Sequence, residues 1–144
     1  MKILTKPKYI YYSSLIAFVF LLLGLTVHTM IVLPQQNNGE NLTSQIIQGK
    51  LIWEEHNCIG CHTLLGEGAY FAPELGNVYE RRGGNHGGGI YFIKAWLKAM
   101  PTNIPGRRQM PQFNLTEDEL NALIAFLKWT SEINNSSWPP SKKG

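Results

Sequence analysis

The sequence is poor in cysteine: Cys58 and Cys61 are the only two among 144 residues. Two intervening residues are too few for the usual structural disulfide, so a disulfide framework is excluded. Cysteines this closely spaced are typical of a chemical site rather than of a structural cross-link.

The chain also lacks an excess of basic residues outside its N-terminus. It carries 13 Lys and Arg against 10 Asp and Glu, and Lys2, Lys6 and Lys8 account for the whole net charge of +3. A nucleic-acid-binding domain would cluster its basic residues on the folded part of the chain. We therefore expect no nucleic-acid partner.

Charged residues are absent from residues 9–33. As an α-helix, these roughly 25 residues would span about 37 Å, which exceeds the roughly 30 Å of hydrocarbon in a bilayer. Three tyrosines among residues 9–12 open the segment, where aromatic rings favour the membrane–water boundary, and Pro34 is expected to close it. The pattern predicts a transmembrane anchor that contacts membrane lipid.

The three N-terminal lysines predict the orientation of this anchor. By the positive-inside rule, residues 1–34 form a cytoplasmic tip and a membrane span, and residues 35–144 form one domain across the membrane. A cleaved signal peptide is the alternative, with an apolar stretch of about 7–15 residues and a small-x-small cleavage site. This segment is longer, and residues 27–30 (VHTM) make a poor cleavage site. We therefore predict an uncleaved anchor.

Residues 58–62 (CIGCH) form a C-x-x-C-H motif, which is the signature of covalent haem attachment. Two thiols add across the two vinyl groups of one haem, and the adjacent His62 presents its imidazole to the iron. A redox dithiol would require a βαβ context, which is absent, and a zinc site would require two more closely spaced Cys or His ligands. The motif predicts one haem c bound through Cys58 and Cys61, with His62 as an axial ligand.

Two methionines in the second half are candidates for the other axial ligand, because Met–His ligation is usual in electron-transfer cytochromes c. Met100 ends a predicted helix over residues 89–100. Met110 lies in an irregular stretch, residues 101–114, that can arch over the open face of the haem. We predict that Met110 is the ligand and that Met100 is a core residue at a helix end.

The remaining sequence predicts an all-α domain. Helices are expected over residues 42–57 and 89–100, and a third begins at the capping box of residues 116–119 (TEDE). The first and last helices are expected to cross at Gly49. The buried set of the first helix is predicted as Ile46, Ile47, Gly49, Ile52 and Trp53. The glycine-rich residues 83–89 are expected to form a flexible loop.

Three further residues are expected near the haem. A backbone carbonyl at Pro73 is placed to accept a hydrogen bond from the second imidazole nitrogen of His62 and so orient the ring. Arg107 and Arg108, beside the predicted ligand loop, either neutralise haem propionates or meet an acidic partner surface. Solvated loop arginines are the alternative.

Several segments resemble the small cytochrome c subunit of bacterial nitric oxide reductases. These are residues 58–79 (CIGCHTLLGEGAYFAPELGNVY), 106–115 (GRRQMPQFNL), 126–130 (FLKWT) and 138–140 (WPP). The segment after the haem motif is the most specific of them. The resemblance extends over nearly the whole chain and includes the single N-terminal anchor. It implies an all-α fold, with one transmembrane helix and a class I-like cytochrome c domain.

The resemblance also implies a function and partners. The chain would be a non-catalytic electron-input subunit in the bacterial cytoplasmic membrane, with its haem domain in the periplasm. It would accept electrons from a soluble periplasmic cytochrome c or cupredoxin. It would pass them to haem b of a large integral-membrane subunit, whose haem–non-haem iron centre reduces two NO to N2O and water. His62 and Met110 match the axial ligands of the family, and Gly68 and Tyr70 match positions that hold a calcium ion against the large subunit.

Other functions remain open on the residues alone. A c-type subunit of a haem–copper oxygen reductase would share the anchor, the haem and the methionine ligand. A free-standing anchored carrier would share them too, but would not need the mostly uncharged segment of residues 63–79, which suits a permanent interface. A catalytic cytochrome would need an open iron position, which Met110 argues against.

Overall fold

A computed structural model describes residues 6–133 of the chain. Lys2 and residues 138–140 of the predicted features lie outside the described residues. The chain divides into two compact units between Asn37 and Asn38, shortly after the predicted boundary at residues 34 and 35. The helices and strands are α1 (Pro7–Gln36), α2 (Ser44–Glu55), β1 (Thr63–Leu64), β2 (Glu67–Gly68), α3 (Val78–Arg81), α4 (Gly88–Ala99) and α5 (Glu117–Ser131).

The first unit is built on helix α1, which has 30 residues and is long and apolar enough to cross a membrane. Its apolar stretch is not buried against any other described residue. The prediction that Pro34 closes the segment is wrong, because the helix continues to Gln36. Pro34 lies in the last turn, where its missing N–H removes one hydrogen bond at most. The N–H of Asn37 still donates to the carbonyl of Leu33 at 3.1 Å and closes that turn.

The second unit is organised around the crossing of α2 and α5. Thr43 caps α2, and Thr116 and Glu119 form the predicted capping box of α5, with reciprocal side-chain and backbone hydrogen bonds. A Cβ added to Gly49 would lie 2.0 Å from the carbonyl oxygen of Ala122. The close approach predicted at Gly49 is therefore confirmed.

Four of the five predicted core residues of α2 are buried, and Ile47 is not. Ile46, Gly49, Ile52 and Trp53 face α5, whereas Ile47 is 48% exposed. Consecutive residues of a helix are about 100° apart, so Ile47 points away from the stripe that its neighbours form. The prediction for Ile47 was wrong for this reason.

The glycine-rich segment is compact rather than a free loop. Residues 84–86 form a 3₁₀ turn, and α4 begins at Gly88, before the predicted start. A Cβ on Gly83 would lie 2.8 Å from the Cα of Gly88, and Gly83 has a φ of +111°, so glycine is required there. Lys94 and Lys98 of α4 both bind the carboxylate of Glu117, which joins α4 to the start of α5.

Strands β1 and β2 form a two-residue antiparallel hairpin directly after the haem motif, with Thr63 opposite Gly68. The hairpin was not predicted, since two-residue strands have no detectable alternation. Its turn uses Leu65 and Gly66, both with positive φ. The fold is otherwise helical, as predicted.

Candidate functional site

The second unit contains an open cavity of about 730 Å³. Cys58, Cys61, His62 and Met110 all line it. Most of the remaining wall is apolar, with contributions from Trp53, Phe92, Ile93, Trp96, Leu97, Leu123 and Leu127. A concave, mostly apolar site with a few convergent polar groups is typical of cofactor sites, and this volume is in the usual range. The tertiary structure thus brings residues separated by more than one helix into a single site.

The haem motif is a tight turn at the end of α2. Residues 58–60 form a 3₁₀ turn, entered through Asn57 in the left-handed conformation. The carbonyl of Cys58 accepts hydrogen bonds from the N–H groups of Cys61 at 3.1 Å and His62 at 2.9 Å. This turn holds both thiols and the imidazole in the wall of one cavity.

The orientation of His62 is set by the backbone at Pro73. The Nδ1 atom of His62 lies 2.7 Å from the carbonyl oxygen of Pro73, and the Trp53 ring lies 6.4 Å from the imidazole between centroids. Nδ1 therefore donates to Pro73, which leaves Nε2 with a lone pair for a metal. Burial lowers the pKa of His62, and the Pro73 hydrogen bond opposes this only in part. The neutral imidazole that ligation needs is thus favoured.

The cysteines do not resemble a redox dithiol. Burial raises the pKa of the Cys58 thiol to about 11, further supported by the nearby Cys61 and only partly offset by a backbone hydrogen bond. Reactive dithiols instead have a thiol with a lowered pKa. Among residues 6–133, no group of three or more His, Cys, Asp or Glu side chains is placed to hold a metal ion, which argues against a zinc site.

Both methionines line the cavity, but in different surroundings. Met100 is 5% exposed and belongs to the buried core at the end of α4. Met110 is half-buried and lies in the irregular segment between α4 and α5, as the sequence indicated. A core methionine is held by its packing, whereas a residue of an irregular segment can approach a ligand from its own loop.

The charged part of the cavity wall has one sign. Within the described part of the chain, four arginines line the cavity and no Asp or Glu does. Arg107 and Arg108 were predicted, whereas Arg81 and Arg82 were not, because no local motif marks them. Arg82 lies over the Phe92 ring, at 4.3 Å from its centroid.

Arg108 and Arg81 differ in their partners. Arg108 lies over the Phe71 ring at 4.5 Å and donates to the Phe71 carbonyl at 2.7 Å. Arg81 donates to the carbonyl of Glu74, but its buried Nε has no hydrogen-bond partner among residues 6–133. An unpaired buried donor of a cation is costly and fits a site for an anionic group. Haem carries two such groups, its propionates.

Gly68 and Tyr70 lie outside the cavity wall, in the segment between the hairpin and Pro73. Gly68 has a φ of +113°, and a Cβ there would be 2.3 Å from the carbonyl oxygen of His62. Only glycine therefore lets this strand pass so close to the haem motif. Tyr70 is 81% exposed and Phe71 is 52% exposed, so they form an exposed aromatic pair.

The helical fold, the C-x-x-C-H turn and the apolar, arginine-lined cavity define a c-type cytochrome domain. In agreement, residues 46–131 match the Cytochrome c family. The cofactor of such a domain is a covalently bound haem c.

Curated relatives narrow the family further. The cytochrome c subunit of nitric oxide reductase from Stutzerimonas stutzeri is 52% identical over 135 residues, which cover 94% of this chain and 92% of that protein. The corresponding protein from Paracoccus denitrificans is 47% identical over 148 aligned residues, 99% of each chain. The chain belongs to the family of nitric oxide reductase cytochrome c subunits.

A match to a different kind of protein is confined to part of the chain. Cytochrome c oxidase subunit 2 of Alkalihalophilus pseudofirmus is 32% identical over 84 residues, which are 56% of this chain and 24% of that protein. This similarity concerns a limited region, in contrast to the full-length similarity to the nitric oxide reductase proteins.

Proposed function

We propose that this chain is the electron-input subunit of a nitric oxide reductase in the bacterial cytoplasmic membrane. It would take electrons from a soluble periplasmic cytochrome c or cupredoxin and deliver them to haem b of a separate catalytic subunit. There, two NO, two electrons and two protons would yield N2O and water. The observation that carries the proposal is the cavity that joins the C-x-x-C-H turn to Met110, in a chain similar over its full length to nitric oxide reductase cytochrome c subunits.

The residues of the cavity fit a haem c. Cys58 and Cys61 would hold it through thioethers, His62 would ligate the iron through Nε2, and Met110 through its thioether sulfur. When bound, the haem supplies a one-electron couple, and Met–His ligation raises its potential. Two protein ligands leave no iron position open for substrate, so the chain would carry electrons and leave NO reduction to its partner.

Charge complementarity supports the same fit. Arg81 would pair with a haem propionate, because its Nε is buried, lacks a partner among the described residues and belongs to a residue of the cavity wall. The guanidinium donates to the Glu74 carbonyl, which fixes its position before the anion arrives. Arg107 is exposed and would contribute less.

The exposed pair Tyr70 and Phe71 would face the catalytic subunit. Arg108 supports this pair through the contacts with Phe71, so the aromatic surface is rigid on the haem-domain side. Exposed aromatic side chains on a stiff backbone are typical of interface anchors. Gly68 and Tyr70 would also contribute to a calcium ion shared with the partner.

The membrane arrangement completes the proposal. Helix α1 would anchor the chain in a single pass, with the N-terminus in the cytoplasm and the haem domain in the periplasm. The lysines at the N-terminal end support this orientation by the positive-inside rule. Residues up to 34, and the last helical turn beyond them, would belong to the anchor.

The axial ligand can be tested by comparing two methionines. Met110→Ala should abolish the weak near-infrared band of methionine-ligated ferric haem and lower the reduction potential. Met100→Ala is the matched control and should keep the band, because it removes only a core side chain. A band lost in Met100→Ala and retained in Met110→Ala would show that the ligand assignment is wrong.

The interface can be tested with two exposed tyrosines. Tyr70→Ala should weaken association with the catalytic subunit and leave the haem c spectrum intact. Tyr91→Ala is the control, since Tyr91 is 76% exposed but lies on α4. A calcium chelator should weaken the wild-type complex as well. An unchanged complex in Tyr70→Ala, as seen by gel filtration, would count against this surface.

The function itself is tested by isolating the membrane complex through a tag on this chain and supplying a reduced donor. Rapid NO consumption that disappears when the large subunit is removed is the expected result. A haem c spectrum without haem b and without NO loss would instead indicate a free-standing carrier. Oxygen consumption without NO consumption would indicate an oxygen reductase.

A further inference from the structure

The segment that carries Met110 has no regular secondary structure between α4 and α5. A stretch of this length would have many conformations, and each ordered residue costs conformational entropy of roughly 1–2 kcal/mol. Two glutamines flank Met110 within this segment, and both of their side chains are fully engaged, chiefly with backbone. They are Gln109 and Gln112.

Gln112 ties the segment to the end of α4. Its Nε2 donates to the carbonyls of Lys98 at 3.1 Å and Met100 at 2.8 Å. Its Oε1 accepts from the N–H groups of Phe113 at 2.9 Å and Asn114 at 3.1 Å. The last carbonyls of a helix have no partners within it, so the amide satisfies groups that would otherwise need water.

Gln109 holds the first half of the segment in the same way. Its Oε1 accepts from the N–H and the hydroxyl of Thr102, each at 3.0 Å. Its Nε2 donates to the carbonyl of Ile104 at 2.9 Å. A primary amide is suited to this arrangement, because it carries two donors and an acceptor at one end.

We propose that Gln109 and Gln112 are positioning residues that hold the methionine ligand against the haem. The inference rests on the proposed function, in which Met110 ligates the iron. A thioether is a weak neutral ligand, so its bond persists only while the segment is kept in place. One glutamine on each side of Met110 fixes the segment to residues 102–104 and to the end of α4. Without them, the segment would leave the iron more often and open its sixth position.

The test uses the full haem-loaded chain in the ferric state, with imidazole as a competing ligand. Gln112→Leu and Gln109→Leu each remove several hydrogen bonds while keeping the side-chain size. Each should strengthen apparent imidazole binding by about 5- to 30-fold, the effect of losing one or two net hydrogen bonds. The near-infrared methionine band should weaken in parallel. Gln45→Leu and Gln48→Leu, at exposed positions of α2, are the controls.

The outcomes separate this inference from the ligand assignment. If Met110→Ala abolishes the band but both Gln→Leu variants bind imidazole as the wild type does, the positioning inference is wrong and the proposed function stands. If Met110→Ala leaves the band unchanged, the ligand assignment fails, and the inference fails with it. Lower thermal stability without stronger imidazole binding would also overturn the inference, since it would indicate a merely structural contribution. Should a leucine variant not fold, Gln112→Glu retains the acceptor and removes the donor.

Discussion

Replacing Gly49 by alanine is expected to destabilise the haem domain through a clash between α2 and α5. The new Cβ would lie 2.0 Å from the carbonyl oxygen of Ala122 and 2.8 Å from the Cβ of Phe126. The first of these contacts is with backbone, which no rotamer change can relieve. An ordinary contact begins at 3.4 Å, so the helices would have to separate locally by about 1.4 Å.

The magnitude follows from two opposing effects. Overpacking of this kind costs typically about 1–3 kcal/mol, and the upper end applies here because the neighbour is backbone. Alanine is a better helix former than glycine by about 1 kcal/mol, which offsets part of the cost. We expect a net loss of about 2 kcal/mol in the free energy of unfolding, or about 10 °C in Tm for a domain of this size.

The assay is guanidinium unfolding of the haem-loaded protein, followed by tryptophan fluorescence. Gln48→Ala, at an exposed position in the same helix, controls for helix propensity and should be neutral or slightly stabilising. A Gly49→Ala protein as stable as the wild type would refute the tight crossing of α2 and α5.

Three further predictions concern charge and hydrogen bonding. Hydrogen bonds from the two lysines of α4 lower the pKa of Glu117 from 4.5 to about 2, so its contribution is full above pH 4.5 and is lost as the pH falls toward 2; Glu117→Gln should flatten acid unfolding in that window, measured by circular dichroism. Trp129→Phe removes the indole hydrogen bond to the Asn38 carbonyl, 3.0 Å long, and should cost about 1 kcal/mol in urea unfolding. Arg81→Gln should lower the reduction potential and make it pH-dependent near neutrality in a spectroelectrochemical titration, whereas Arg107→Gln should change it little.

Features that depend on local sequence were predicted well. The haem motif, the capping box at Thr116 and the long apolar helix each depend on residues within a few positions of one another. Gly49 was also predicted, because a glycine in the middle of an amphipathic helix indicates a close approach. Their physical basis is backbone hydrogen bonding and helical periodicity, which the order of residues determines directly.

The surroundings of the site depend on contacts between distant segments. Arg81 lines the cavity because α3 packs against α4 and α5, and Gln112 reaches Met100 only because the segment folds back on α4. Ile47 was misplaced because the width of the buried stripe is set by the helix that packs on it. The sequence by itself therefore determined the anchor, the haem motif and the helices. The tertiary structure alone decided which side chains meet around the haem cavity, since those meetings follow from packing between elements and not from spacing along the chain.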